Sequence, residues 1–148
     1  RIAPKPLQQP HPRFYLGGGS QEAWEISARH ADVHLFWGDT PDAIAANMRA
    51  IRDMAARHGR RDAIGFGMRL QVCCRETEAE AWAAARALIE GVTEQQTNFI
   101  RTHYASSAAN RRVQQLAREH GALIAPHLWT GISCVRPGAG IVVVGDPR

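Results

Sequence analysis

The stretch Ala63-Ile64-Gly65-Phe66-Gly67-Met68-Arg69-Leu70-Gln71-Val72-Cys73-Cys74 decides how the chain is read. Ile64, Phe66, Met68, Leu70 and Val72 alternate with Gly65, Gly67, Arg69, Gln71 and Cys73. Successive side chains of a β-strand point to opposite faces, so this period of two predicts one strand over 63–74. One face is apolar; the other is small at first and then polar. Just beyond it, Thr77 and Glu80 form a T-x-x-E capping box, in which each side chain satisfies a free amide at a helix start. The alanine-rich helix this opens runs to about Glu90, and Gly91 ends it.

The same strand-then-helix unit occurs twice upstream. Val33-His34-Leu35-Phe36-Trp37 is a short apolar strand closed by Gly38. Thr40 then caps a helix with Pro41 in its first position and Asp42 in its first turn. Ile44, Met48, Ile51 and Ala55 make one apolar stripe along it, and Gly59 stands where it stops. Before that, Phe14-Tyr15-Leu16 reads as a strand running into Gly17-Gly18-Gly19-Ser20, with Ser20 capping a helix from Gln21 to His30. Residues 1–13 carry Pro4, Pro6, Pro10 and Pro12 and predict an extended leading segment. Strands alternating with helices predict parallel βα units. Three such units alone leave two open sheet edges, which invite pairing with another chain.

Downstream the rhythm breaks. Residues 92–128 predict an irregular or helical excursion with one helix, Ala108 to His120, and Gly121 after it. Then come Leu128-Trp129, a loop through Val135-Arg136-Pro137-Gly138-Ala139-Gly140, and a short strand Ile141-Val142-Val143-Val144. Gly145-Asp146-Pro147 reads as the start of a further helix. The whole reads as one domain or one piece of a domain.

Composition is that of an ordinary globular chain: 148 residues, 45% hydrophobic and 22% charged, with a formal charge of +4. Nearly all the positive charge is arginine spread along the chain, with Lys5 the only lysine, which fits solvated helix faces better than a nucleic-acid surface. Three cysteines, two of them adjacent, argue against a disulfide framework and fit a reducing cytoplasm. No apolar run approaches membrane-spanning length and no signal peptide opens the chain. Its first residue is arginine, which reads as something other than a native start.

Three places could carry chemistry. Gly17-Gly18-Gly19-Ser20, at a strand end leading into a helix, offers free N–H groups and a helix dipole to a phosphate; the same run also suits a plain tight turn. Arg69 and Gln71 share the polar face of the strand over 63–74, toward its second half. That face either lines a barrel lumen, where a buried arginine needs an anion, or lies in water at a sheet edge. Arg136, on a glycine-rich loop, suits either an anion clamp or a plain surface position. His30 and His34 are four apart but fall on a helix end and a strand, so no metal site is expected. No G-x-S-x-G is present and no serine has an evident base, so a nucleophilic triad is not expected either.

Four stretches together resemble the alkanesulfonate monooxygenase branch of the luciferase-like flavin monooxygenases. They are residues 14–20, residues 31–39, Phe66 through Val72 with Arg75-Glu76-Thr77, and Leu128-Trp129 through Val135-Arg136, Gly138-Ala139-Gly140 and Val144-Gly145-Asp146-Pro147. The resemblance implies an α/β fold, a partial (β/α)8 TIM barrel. Residues 14–91 would supply strands five to seven, 92–128 the family's mobile insertion, and 129–148 the loop and short strand leading to the last βα unit. A complete barrel needs about 250 residues, so the resemblance implies one part of a longer polypeptide.

Carried over residue by residue, Gly18, Gly19 and Ser20 would hold the phosphate of FMN and Trp37 would sit beside the flavin. Arg69, Gln71 and Arg136 would act on the substrate side, with Arg136 on a closing loop. The activity implied is that of a two-component enzyme. Reduced FMN would come from a separate NAD(P)H-dependent FMN reductase, and O2 would be used to cleave the C–S bond of a small organosulfur compound to an aldehyde and sulfite. A homo-oligomer is expected. Two departures stand out: Gln71 replaces a histidine usual in alkanesulfonate enzymes and cannot exchange a proton near neutral pH, and Gly19 replaces a frequent serine. Two other readings stay open: a deazaflavin-dependent or other-substrate enzyme of the same fold, and a catalytically incomplete chain that associates with itself.

Overall fold

A computed structural model describes residues 3–136 and 140–148. Three parallel strands, β1 (Tyr15–Gly17), β2 (Val33–Phe36) and β3 (Gly65–Met68), lie side by side in chain order. They are joined by α1 (Gln21–His30) and α2 (Pro41–Ala56), each capped as the sequence predicts. Ser20 Oγ accepts from Ala23 N–H at 3.2 Å and Thr40 Oγ1 from Ala43 N–H at 3.3 Å. The α2 stripe is the core of this half: Ile44, Ile51 and Ala55 are buried with Ala28, Phe36 and Ile64, and Met48 and Phe66 pack beside them.

The long strand does not stay whole. It breaks into β3 and β4 (Gln71–Cys74), and β4 pairs in parallel with β7 (Val142–Gly145). Arg69 N–H donates to Phe36 O at 2.8 Å, whereas Gln71 N–H donates to Ile141 O at 3.0 Å. The strand thus passes from one neighbour to the other within two residues, as staggered strands of a curving sheet must. This bend inverts the predicted faces. In β3, Phe66 lies beside His34 and packs on the α2 side. In β4, it is Cys73, level with Val144, that is buried against the next helix, while Val72 is 72% exposed. Arg69 and Gln71 therefore do not share one face, because the alternation loses a step where the strand changes partner.

That next helix, α3 (Glu78–Ala87), opens on the predicted capping box: Thr77 N–H donates to Glu80 Oε2 at 3.1 Å and Glu80 N–H to Thr77 Oγ1 at 3.3 Å. Ala81, Ala85 and Trp82 pack with Cys73, Val142, Val144 and Trp129. The excursion over 92–128 takes the helical alternative, with one helix beyond the predicted one. It holds α4 (Glu94–His103), started by a second capping box of Thr93 and Gln96, as well as the predicted α5 (Ala108–His120). A Gln in the third position caps as well as a Glu, and this T-x-x-Q signal was present in the sequence.

β5 (Leu123–Ala125) and β6 (Leu128–Trp129) then form an antiparallel hairpin on β7. β7 is consequently bonded on both sides, and Val144 N–H also donates to His127 O at 2.9 Å. The chain extends one of the two expected open edges with its own hairpin, so among the described residues the strand order ends on parallel β1 and on the short antiparallel β5. A 3₁₀ turn (Gly131–Cys134) leads from the hairpin toward β7. Pro137, Gly138 and Ala139 of the predicted loop lie outside the described residues.

Candidate functional site

Parallel strands place all their carboxyl ends on one side, and the loops there can converge. At the end of β1, Gly18 turns tightly against α1. A Cβ on Gly18 would lie 2.5 Å from the Ala23 Cβ, so only glycine lets the loop meet the helix here. Gly19 is the opposite case: a Cβ there would meet nothing within 4 Å, so its backbone faces open space that a ligand can enter. The Trp24 indole N–H donates to Gly18 O at 3.1 Å and fixes the turn from the helix side.

Below this turn lies a buried pair. His34 is fully buried on β2, its Nδ1 2.7 Å from the buried Ser27 Oγ, while Nε2 has no hydrogen-bond partner. Burial holds the His34 pKa below its ordinary 6.5, with the nearby Gly18 backbone offsetting part of that effect. Burial favours the neutral ring because removing an imidazolium from water is costly.

Gly18 and Gly19 line a cavity of ≈ 260 Å³ together with Trp24, Leu35, Trp37, Gly38, Asp39, Ile44, Asn47, Ala108, Ala109 and Arg112. Of the residues singled out in the sequence, Gly18, Gly19 and Trp37 meet here. Arg69 does not line the cavity but contacts one of its walls, its guanidinium 5.6 Å from the Trp37 ring centre in a cation–π contact. Ser20 borders the turn, but its hydroxyl oxygen serves as the α1 cap, and it also bonds the Glu22 carboxylate. Glu22 titrates below its ordinary value chiefly because its carboxylate turns back on its own backbone N–H, and secondarily through Ser20. A side-chain anion thus already rests on the start of α1, as the dipole there favours.

Two of the expected residues lie elsewhere. Gln71 is half-buried at the start of β4 in register with Val142, whose neighbour is α3, so it is on the face away from Arg69. Arg136 is exposed past the 3₁₀ turn, its backbone N–H donating to Ile132 O at 2.9 Å.

The sequence reading missed Asp39 and Arg112. Arg112 Nε and NH2 donate to Asp39 Oδ2 and Oδ1 at 2.7 and 2.8 Å across 73 residues of chain. Asp39 is 8% exposed and its Oδ1 also accepts from Thr40 N–H at 2.7 Å. The bonded carboxylate pushes the Arg112 pKa above its already high value. This side-on pair ties α5 to the end of β2 beside the cavity. Asp39 stands next to a visible cap, but nothing local marks Arg112 as its partner.

A larger groove of ≈ 1170 Å³ runs between α3 and the β5–β6 hairpin, walled by Trp82 and Trp129. It shares no lining residue with the first cavity and does not touch the carboxyl ends of β1, β2 and β3. Among the described residues no group of three or more His, Cys, Asp or Glu is arranged to hold a metal ion, and no helix is long and apolar enough to cross a membrane.

A run of parallel βα units with a glycine turn and a cavity at the strand ends defines part of a barrel enzyme scaffold. The luciferase-like monooxygenase family profile matches residues 1–148, and the chain belongs to that family. Solved structures agree on the fold. DmoA from Hyphomicrobium sulfonivorans superposes with a TM-score of 0.64 at 18% identity, over 95% of this chain and 34% of that one. The long-chain alkane monooxygenase LadA gives 0.62 at 19%, over 93% and 31%. The riboflavin lyase RcaE, solved with modified FMN and riboflavin, gives 0.64 at 20%, over 93% and 34%. The chain therefore spans about a third of the length of these barrels.

Proposed function

We propose that the chain supplies the phosphate-holding side of the active site of a flavin-dependent monooxygenase. Reduced FMN and O2 would act there on a small organosulfur compound of the alkanesulfonate kind, giving an aldehyde, sulfite, oxidised flavin and water. The supporting observation is the cavity at the carboxyl ends of β1 and β2, where Gly18, Gly19 and Trp37 meet and Arg69 stacks on Trp37. The open backbone at Gly19 and the start of α1 fit a phosphate. At ≈ 260 Å³ the cavity suits that end of the cofactor rather than the whole of it.

FMN, when bound, supplies the activation of oxygen. The chain's own residues bind and orient. Gly18 and Gly19 present backbone N–H groups, and Ser20 can turn its hydroxyl from Glu22 to a phosphate oxygen. Trp37 gives a flat wall. Arg69, held over that wall, places a fixed positive charge where an anionic substrate would lie, the kind of preorganised help that lowers a barrier. Arg136 follows on the loop that would close over the site. Gln71, on the opposite face, takes no part. The reduced cofactor would be delivered by an NAD(P)H-dependent FMN reductase, and the working form would be a homo-oligomer in the cytoplasm.

Sulfite release is the direct test. The chain is mixed with an FMN reductase, NADH, FMN and a short alkanesulfonate in air, and sulfite is measured with a thiol reagent. Sulfite above the reductase-only control, lost in Arg69→Ala, supports the proposal. Anaerobic FMN binding without sulfite from any sulfonate would remove the substrate class and leave the cofactor site standing.

A further inference from the structure

Three helices begin at the cavity. Gly18 and Gly19 precede the cap of α1, Asp39 precedes the cap of α2, and Ala108 and Ala109 are the first residues of α5. Each contributes the positive end of a helix dipole. Arg112, one turn into α5, is the only full positive charge among the lining residues. Its hydrogen-bonding capacity is only partly used. Nε and NH2 donate to Asp39, while NH1 forms a longer ion pair with Glu119 Oε2 at 3.7 Å and makes no hydrogen bond to it, so an incoming anion would have to take the place of the half-exposed Glu119 carboxylate at that edge. Asp39 does not compete for an incoming anion, because its oxygens are already turned to Arg112 and Thr40.

We infer that Arg112 is a phosphate-recognising residue of this cavity, held in place by Asp39, and that its NH1 edge takes an oxygen of the flavin's phosphate monoester. The inference rests on the proposed flavin function and adds a residue from the insertion to the site. A guanidinium gripped side-on by a carboxylate keeps its plane fixed and its remaining N–H groups aimed, which a lysine ammonium cannot reproduce. The insertion is thereby coupled to the cofactor's charged end: α5 is docked by Leu116 in the core and by Arg112 at the cavity rim.

The test compares two flavins that differ only in the phosphate. Reduced FMN and reduced riboflavin are titrated anaerobically into the wild-type chain, Arg112→Gln and Arg112→Lys, with circular dichroism on each sample to check folding. Wild type is expected to bind FMN more tightly than riboflavin. Arg112→Gln is expected to weaken FMN by about 10- to 100-fold while leaving riboflavin unchanged. Arg112→Lys keeps the charge but loses the fork, and falls between. Equal loss for both flavins in both folded variants would make Arg112 a structural residue and overturn the inference. So would unchanged FMN affinity, including the case in which only the KM for a sulfonate rises and the oxyanion is the substrate's. Failure of wild type to bind either flavin would instead overturn the flavin reading, and this inference with it.

Discussion

The two halves of the molecule, residues 14–68 and residues 69–148, follow different rules. In the first, every strand pairs with its sequence neighbour, every helix returns the chain to the same end, and one core joins α1 and α2 to the strands. In the second, α3 packs on one face of β4 and β7, α5 packs on β5 and on the residue preceding β7 through Leu116, Ile124 and Ile141, and an antiparallel hairpin covers the outer side of β7. The first half is local and periodic. The second depends on contacts between residues far apart in sequence, and these are costly to organise in a chain and invisible to a window of ten residues. The cavity sits where the halves meet, with its glycines from the first and its arginine from the second.

The largest effect expected is on the docking of the second half. Leu116 is fully buried in the cluster with Ile124 and Ile141. Leu116→Ala should cost about 2–5 kcal/mol. Urea melts read by hydrogen exchange should show α5 and the hairpin opening well before α1 and α2. A single shared transition would mean that the halves are one cooperative unit.

At the junction, Gly18→Ala forces a Cβ to within 2.5 Å of Ala23. Overpacking of this kind should cost about 1–3 kcal/mol and displace the turn, so cofactor affinity should fall more than stability. Gly19→Ala, with open space around it, should spare stability and reduce only binding. Equal behaviour of the two variants would contradict the distinction drawn between them.

Asp39→Asn breaks the pair with Arg112. Because Arg112 is partly exposed, water screens the loss, and about 1–2 kcal/mol is expected in a chemical melt. A double-mutant cycle with Arg112→Gln should recover most of it as coupling energy.

The smallest effect is on pH dependence. The depressed pKa of His34 means that the unfolded chain binds more protons than the folded one as pH falls through the ordinary histidine value of 6.5. Stability from its burial is thus complete above that value and declines as pH falls toward the lower folded value. The melting temperature should drop between pH 7.5 and pH 5, and His34→Gln should flatten that part of the profile. Glu25, held below its ordinary 4.5 first by its bond to His58, adds a separate loss only at still lower pH.

Much of this was legible. Ser20, Thr40 and Thr77 each announced a helix, and the stripe from Ile44 to Ala55 announced its buried face. The turn at Gly18 was legible as a candidate, though not that Ala23 is the reason for the glycine. The bend at Arg69 was not: Leu70 and Val72 continue the apolar alternation, and only the change of partner from β2 to β7 shows that the faces swap. Thr93 and Gln96 signalled α4 plainly enough to be read. The Asp39–Arg112 pair could not be read, since hydrogen bonding across 73 residues leaves no local pattern.

The most direct measurement of the central claim is where the cofactor touches the chain. An amide NMR titration of the 15N-labelled chain with reduced FMN, kept anaerobic, should move Gly18, Gly19, Gln21 and Glu22 and the indole signals of Trp24 and Trp37 first. Saturable shifts confined to the groove of Trp82 and Trp129, or no shifts up to millimolar FMN, would contradict a phosphate-holding site at the end of β1.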